Sequence, residues 1–71
     1  MITVILYSKH AIEKMNALGI ERSEVETLIK KGMKWKEHFG KKWHARMYGI
    51  ECVFEKHEND LYIITVHPEG D

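Results

Sequence analysis

The sequence predicts an α+β domain: an N-terminal strand, a helical hairpin, then three or four antiparallel strands. Three observations carry this. Apolar residues recur at helical spacing between residues 9 and 31, the spacing changes to strict alternation after Gly32, and glycines or polar turn residues punctuate each change. Helices grouped first and strands grouped after them give the α+β class, not a parallel α/β sheet. The 71 residues make a single domain, residues 1–71. A chain of this length buries only about 60% of its unfolded surface, so the core is thin.

The run Ile2 to Tyr7 is β-branched and apolar, a strand with too little polarity to face water on both sides. It has neither the basic n-region nor the small-residue cleavage site of a signal peptide. Ser8 suits a helix N-cap. Ala11, Ile12, Met15 and Leu18 then form the buried stripe of a first helix, which Gly19 ends in the left-handed conformation. Ser23-Glu24-Val25-Glu26 reads as a capping box, Val25, Leu28 and Ile29 as the stripe of a second helix, and Lys30 and Lys31 as cations favourable to its C-terminal dipole. Gly32 closes it.

Beyond Gly32, Met33, Trp35, Glu37 and Phe39 alternate with Lys34, Lys36 and His38. Gly40-Lys41 is the expected hairpin turn, and Trp43, Ala45 and Met47 alternate with Lys42, His44, Arg46 and Tyr48 on the return strand. Gly49 marks a second turn or a bulge. Ile50 to Lys56 and Leu61 to His67 are two further strands, joined through His57-Glu58-Asn59-Asp60.

Charge excludes several functions. Eleven Lys and Arg balance eleven Asp and Glu, so the chain neither coats nucleic acid by bulk charge nor carries an acidic tail. No apolar run approaches the roughly 20 residues that cross a bilayer. The lone Cys52 forms no internal disulfide and points to a reducing, cytoplasmic setting. Its alternation with Ile50 and Phe54 makes it a core thiol. Met15, Met33 and Met47 read as core filler. Scattered glycines form no phosphate loop, and no spacing supplies the convergent ligands of a zinc site, so neither cofactor nor metal is expected.

Seven basic residues lie between Lys30 and Arg46 against a single acid, Glu37. Lys34 and Lys36 share one strand face with His38; Lys42, His44 and Arg46 share another. If the hairpin aligns the two sets, they form a basic strip with Trp35, Trp43 and Tyr48 beside it. Cations for phosphates and aromatic faces for unpaired bases suit RNA. The bland reading is a solvated face whose charges keep strand edges apart, with two core tryptophans. Two histidines stand where sites assemble: His10 at the start of the first helix and His67 at the end of the last strand. Either imidazole can exchange a proton near neutral pH.

The run from Ser8-Lys9-His10-Ala11 through Met15 and Gly19-Ile20 to the acidic second helix resembles the domain-of-unknown-function family 4258. The closing Ile63-Ile64-Thr65-Val66-His67-Pro68 is similar to that family's last strand. His10 matches the family histidine, whereas Lys14 stands where arginine is commoner. Such domains resemble the RelE-like toxin fold, with two helices packed on a sheet across which RNA lies. The resemblance implies a metal-independent ribonuclease of toxin–antitoxin type, in which the ribose 2′-hydroxyl attacks the adjacent phosphate. His67 or His10 would serve as acid and base, with Arg46 and Lys14 as phosphate clamp, all four gathered in one cleft. Lys34, Lys36, Lys42, His44, Trp35 and Trp43 would bind the nucleic acid. The implied partners are RNA and an antitoxin protein. Two other readings stand beside this one: a module of the same fold that binds RNA or protein without cutting, and a domain that pairs with its own copy through a sheet edge.

Overall fold

The computed structural model describes residues 4–70. Its elements run β1 (Val4–Tyr7), α1 (Lys9–Leu18), α2 (Arg22–Lys31), β2 (Met33–Lys36), β3 (Lys42–Met47), β4 (Ile50–His57) and β5 (Asp60–Pro68). This is the expected α+β order. Ile2 and Thr3 of the expected first strand lie outside the described residues. The strands form one sheet in the order β1-β5-β4-β3-β2. β2 to β5 pair antiparallel and β1 joins β5 in parallel. The αα-hairpin crosses from β1 at one edge of the sheet to β2 at the other, and the three strands after it lead back to β5, which pairs parallel with β1.

Ser8 ties the crossover to the sheet. Its Oγ accepts from the Ala11 amide at 2.9 Å, capping α1, and its hydroxyl donates to the Ile64 carbonyl at 2.7 Å. Ile64 is the residue that the β4–β5 register skips: Val53 faces Thr65, and Phe54 faces Ile63. The bulge on β5 lets Ile63 and Val66, three residues apart, both face the core, where each is fully buried. Gly19 takes the expected left-handed conformation at φ 71°.

Both helices lie on one face of the sheet. Ala11, Met15, Ile20, Val25 and Leu28 pack there against Ala45, Cys52, Phe54, Ile63 and Val66. Ile12 and Leu18, expected in the stripe, are instead 38% exposed each, because the sheet reaches only the Ala11–Met15 edge of α1. The second helix begins before the expected Ser23. Glu21 is its N-cap and shares the capping box with Glu24, while the Ser23 carbonyl already accepts from the Thr27 hydroxyl inside the helix. The chain leaving Gly19 is in place to turn two residues earlier, and Glu21-x-x-Glu24 offers the same reciprocal bonds as Ser23-x-x-Glu26.

The β2–β3 hairpin overturns one expectation. The Glu37 amide donates to the Lys42 carbonyl at 2.9 Å, leaving the loop His38–Lys41 between them. An even-length loop pairs even-numbered with odd-numbered residues: Lys34 faces Ala45, Trp35 faces His44, and Lys36 faces Trp43. Lys34 and Lys36 therefore share the helix-side face with Trp43, whereas Lys42, His44 and Arg46 share the open face with Trp35. The single basic strip does not form. Met33, expected in the core, is 72% exposed on edge strand β2. Between β3 and β4 the connection is a two-residue turn: Met47 faces Ile50, and Tyr48 and Gly49 both have positive φ (54° and 77°).

Candidate functional site

The sheet face away from the helices carries a linked set of charged groups centred on Glu51. Alternation places Glu51 there: its neighbour Cys52 points into the core, so Glu51 points out, opposite Arg46 on β3 and His67 on β5. Only 7% of the residue is exposed. Its carboxylate accepts from Arg46 Nη2 at 2.7 Å through Oε1 and from His44 Nδ1 at 2.8 Å through Oε2. His67 Nε2 lies 3.5 Å from the same Oε2. Two outer carboxylates complete the set. Glu37 accepts from His44 Nε2 at 2.7 Å, and Glu69 lies 3.3 Å from Arg46 Nη1.

Protonation follows from the partners. A carboxylate only accepts, so an imidazole bonded to one through each ring nitrogen carries both protons. Burial alone would depress the His44 pKa, but Glu37 and Glu51 outweigh it and raise the value above that of a free imidazole. The bond from Arg46 holds the Glu51 carboxyl below the usual carboxylate range, against the opposing effect of burial and with help from His44 and His67. His67 is arranged differently. Its Nδ1–H donates to the Pro68 carbonyl at 2.9 Å, and its Nε2 faces Glu51.

Trp35 lies over this set. Its ring is parallel to the His44 imidazole, 6° between planes and 5.1 Å between centroids, and the Arg46 guanidinium carbon sits 5.3 Å from its centre. The indole shields both cations from water on one side. Arg46 Nε is buried and, among the described residues, has no hydrogen-bond partner. Lys42 is exposed on the same face.

The structure thus brings together Arg46, His67, His44 and Trp35 of the residues singled out in the sequence, with Lys42 on the same face. It does not bring His10 and Lys14 to them. Both lie on α1, across the sheet from Glu51, with His10 exposed and Lys14 half-buried. The expected gathering of His10, Lys14, Arg46 and His67 in one cleft is not met, because the sheet itself separates the pairs. Lys34, Lys36 and Trp43 occupy the helix-side face. There the Lys34 ammonium donates to the Gly32 carbonyl at 3.1 Å, capping α2, while Trp43 stacks on Phe54 beneath the Lys56 ammonium. Tyr48 stands at the β3–β4 turn, 85% exposed and away from both tryptophans.

Glu51 escaped the sequence reading. A carboxylate inside the apolar run from Ile50 to Phe54 was one signal. The other was arithmetic: a two-residue turn at Tyr48-Gly49 pairs Arg46 with Glu51 directly. Cys52 is the core thiol expected, fully buried, with its pKa pushed up to about 12 by burial. Among the described residues no three His, Cys, Asp or Glu side chains are arranged to hold a metal ion, and no helix is long and apolar enough to cross a membrane.

The family described as "Domain of unknown function (DUF4258)" matches residues 7–68. The chain belongs to this family. The resemblance read from Ser8 onward and from Ile63 to Pro68 is therefore borne out across nearly the whole DUF4258 chain. Among solved structures, a chain of the RelB-RelE antitoxin-toxin complex from Methanococcus jannaschii superposes with a TM-score of 0.68 at 12% identity, covering 89% of the DUF4258 chain and 88% of the other. At that identity the likeness is one of fold. No curated protein matches.

Proposed function

We propose that the open sheet face binds RNA and cleaves it without metal, through the His44, Arg46, Glu51 and His67 cluster. The observation that carries this reading is Glu51: one buried carboxylate orients two imidazoles and a guanidinium beside an indole, on the face free of helices. The two imidazoles are held by different partners, His44 between two carboxylates and His67 between the Pro68 carbonyl and Glu51, which suits them to different roles. His67, acting as the base, takes the 2′-hydroxyl proton through Nε2 as O2′ bonds to phosphorus. His44, once released by Glu37, gives its Nε2 proton to the departing 5′-oxygen as the P–O5′ bond breaks. The products are a 2′,3′-cyclic phosphate and a 5′-hydroxyl. Arg46 neutralises the phosphoryl charge between them. His10 and Lys14 have no part in this arrangement.

The likeness to a chain of an antitoxin–toxin complex supports a dedicated protein partner of antitoxin type. A second reading, a module that binds without cutting, is favoured by one observation: each cation of the cluster already faces a carboxylate of its own chain. The test is RNA incubated with the folded chain in excess EDTA. Cleavage leaving cyclic phosphate ends is expected, falling about 100-fold or more in His67→Ala. Intact RNA with a molar excess of protein overturns the nuclease reading. RNA retained in a salt-dependent manner without cleavage supports the binding module instead.

A further inference from the structure

The three carboxylates around His44 and Arg46 are not equivalent. Glu51 sits in mid-strand with its side chain 10% exposed, and it holds the inner atoms, His44 Nδ1 and Arg46 Nη2. Glu37 and Glu69 each lie one residue beyond a strand end, are 39% and 42% exposed, and cover the outer atoms, His44 Nε2 and Arg46 Nη1. Their backbones are anchored, Glu37 by its hydrogen bond to Lys42 and Glu69 by the 2.7 Å hydrogen bond that its amide donates to the Gly49 carbonyl. Only the side chains need move to release the cations. Exposed ion pairs of this kind are held weakly. When Glu37 and Glu69 swing out, Glu51 still aims both cations, and their outer N–H groups face solvent.

We propose that Glu37 and Glu69 occupy two anion subsites, at His44 Nε2 and Arg46 Nη1, which a ligand carrying two neighbouring phosphates fills by displacing them. The His44 and Arg46 backbones, two residues apart on one strand face, stand about 7 Å apart, the order of the step between phosphates in an extended strand. Arg46 Nε adds a donor that nothing in the described chain satisfies. The inference rests on the reading of this face as an RNA surface for its choice of ligand, with a free diphosphate as the other source of the same chemistry.

The test compares the parent chain with Glu37→Gln, Glu69→Gln and the double variant. Glu13→Gln, on exposed α1, controls for the change in net charge. The probes are a 2′-O-methyl oligonucleotide, which 2′-hydroxyl attack cannot cleave, and inorganic pyrophosphate. Each single variant is expected to bind the oligonucleotide about threefold tighter and the double variant about tenfold, with Glu13→Gln within about twofold of the parent. Tightening for the oligonucleotide alone assigns the subsites to a nucleic-acid backbone; tightening for pyrophosphate as well assigns them to diphosphates in general. A double variant no tighter than Glu13→Gln with either probe overturns the inference. The two proposals fail separately: tighter binding by a chain that cleaves no RNA leaves the subsites standing without the nuclease, and unchanged binding by a chain that cleaves RNA does the reverse.

Discussion

Replacing Glu51 with Gln keeps the shape of the side chain and removes the charge on which the open face is organised. The amide oxygen can accept from Arg46 or from His44, and its NH2 then confronts the other donor. At least one charge-assisted bond is lost, worth about 1.5–3 kcal/mol. Arg46 is 40% exposed at its side chain, so water recovers part of that. A net loss of about 2 kcal/mol follows. For a chain of 71 residues, whose whole stability is on the order of 4–10 kcal/mol, this is a large fraction. It corresponds to a fall in Tm of about 8–16 °C. The loss depends on pH, with a definite sign. The folded His44 pKa is raised, so its contribution is complete below the unfolded value of about 6.5 and fades as pH rises through the folded value. The folded Glu51 pKa is lowered, so its contribution is present above the unfolded value of about 4.3 and is lost as pH falls through the folded one. The penalty of Glu51→Gln is therefore greatest between about pH 4.5 and 6.5 and falls toward pH 8.5, as His44 gives up the charge that Glu51 pairs. Urea unfolding followed by tryptophan fluorescence at pH 5.5 and 8.5 measures both. A loss below about 0.5 kcal/mol at pH 5.5, or the same loss at both values, would refute the reasoning.

Gly32→Ala tests the packing of α2 against the sheet: a Cβ there would press into the Leu28 carbonyl oxygen and lie 2.9 Å from that of Arg46. Both obstacles are backbone, so a destabilisation of about 2 kcal/mol or more is expected in urea unfolding, and full tolerance would contradict the close approach. Cys52 is expected to react with a thiol reagent at pH 8 only at the rate of unfolding; rapid modification of the folded chain would contradict its burial.

The elements were legible because local chemistry encodes them. Ser8 caps α1, Gly19 ends it, and the change of period after Gly32 marks the sheet. Boundaries slipped where two nearby residues offer equivalent caps, as Glu21 and Ser23 do. The site was harder to read. Residue type and position mark His67 and Arg46 as candidates, but a cleft that joins them to His10 and Lys14 ignores the sheet that lies between. Glu51 passed unnoticed because a single acid within an apolar run carries no motif.

By itself, the sequence determined the α+β class, the order of elements, the core thiol Cys52 and the family, since each is written in short-range periodicity and composition. Tertiary structure alone decided which face each cation occupies. That choice turned on the parity of the His38–Lys41 loop and on the two-residue turn at Tyr48-Gly49. A strand's side chains alternate with a period of two, so a one-residue change in the Tyr48-Gly49 turn would carry His44 and Arg46 off the face that holds Glu51, and one in the His38–Lys41 loop would carry Trp35 and Glu37 off the face that holds His44.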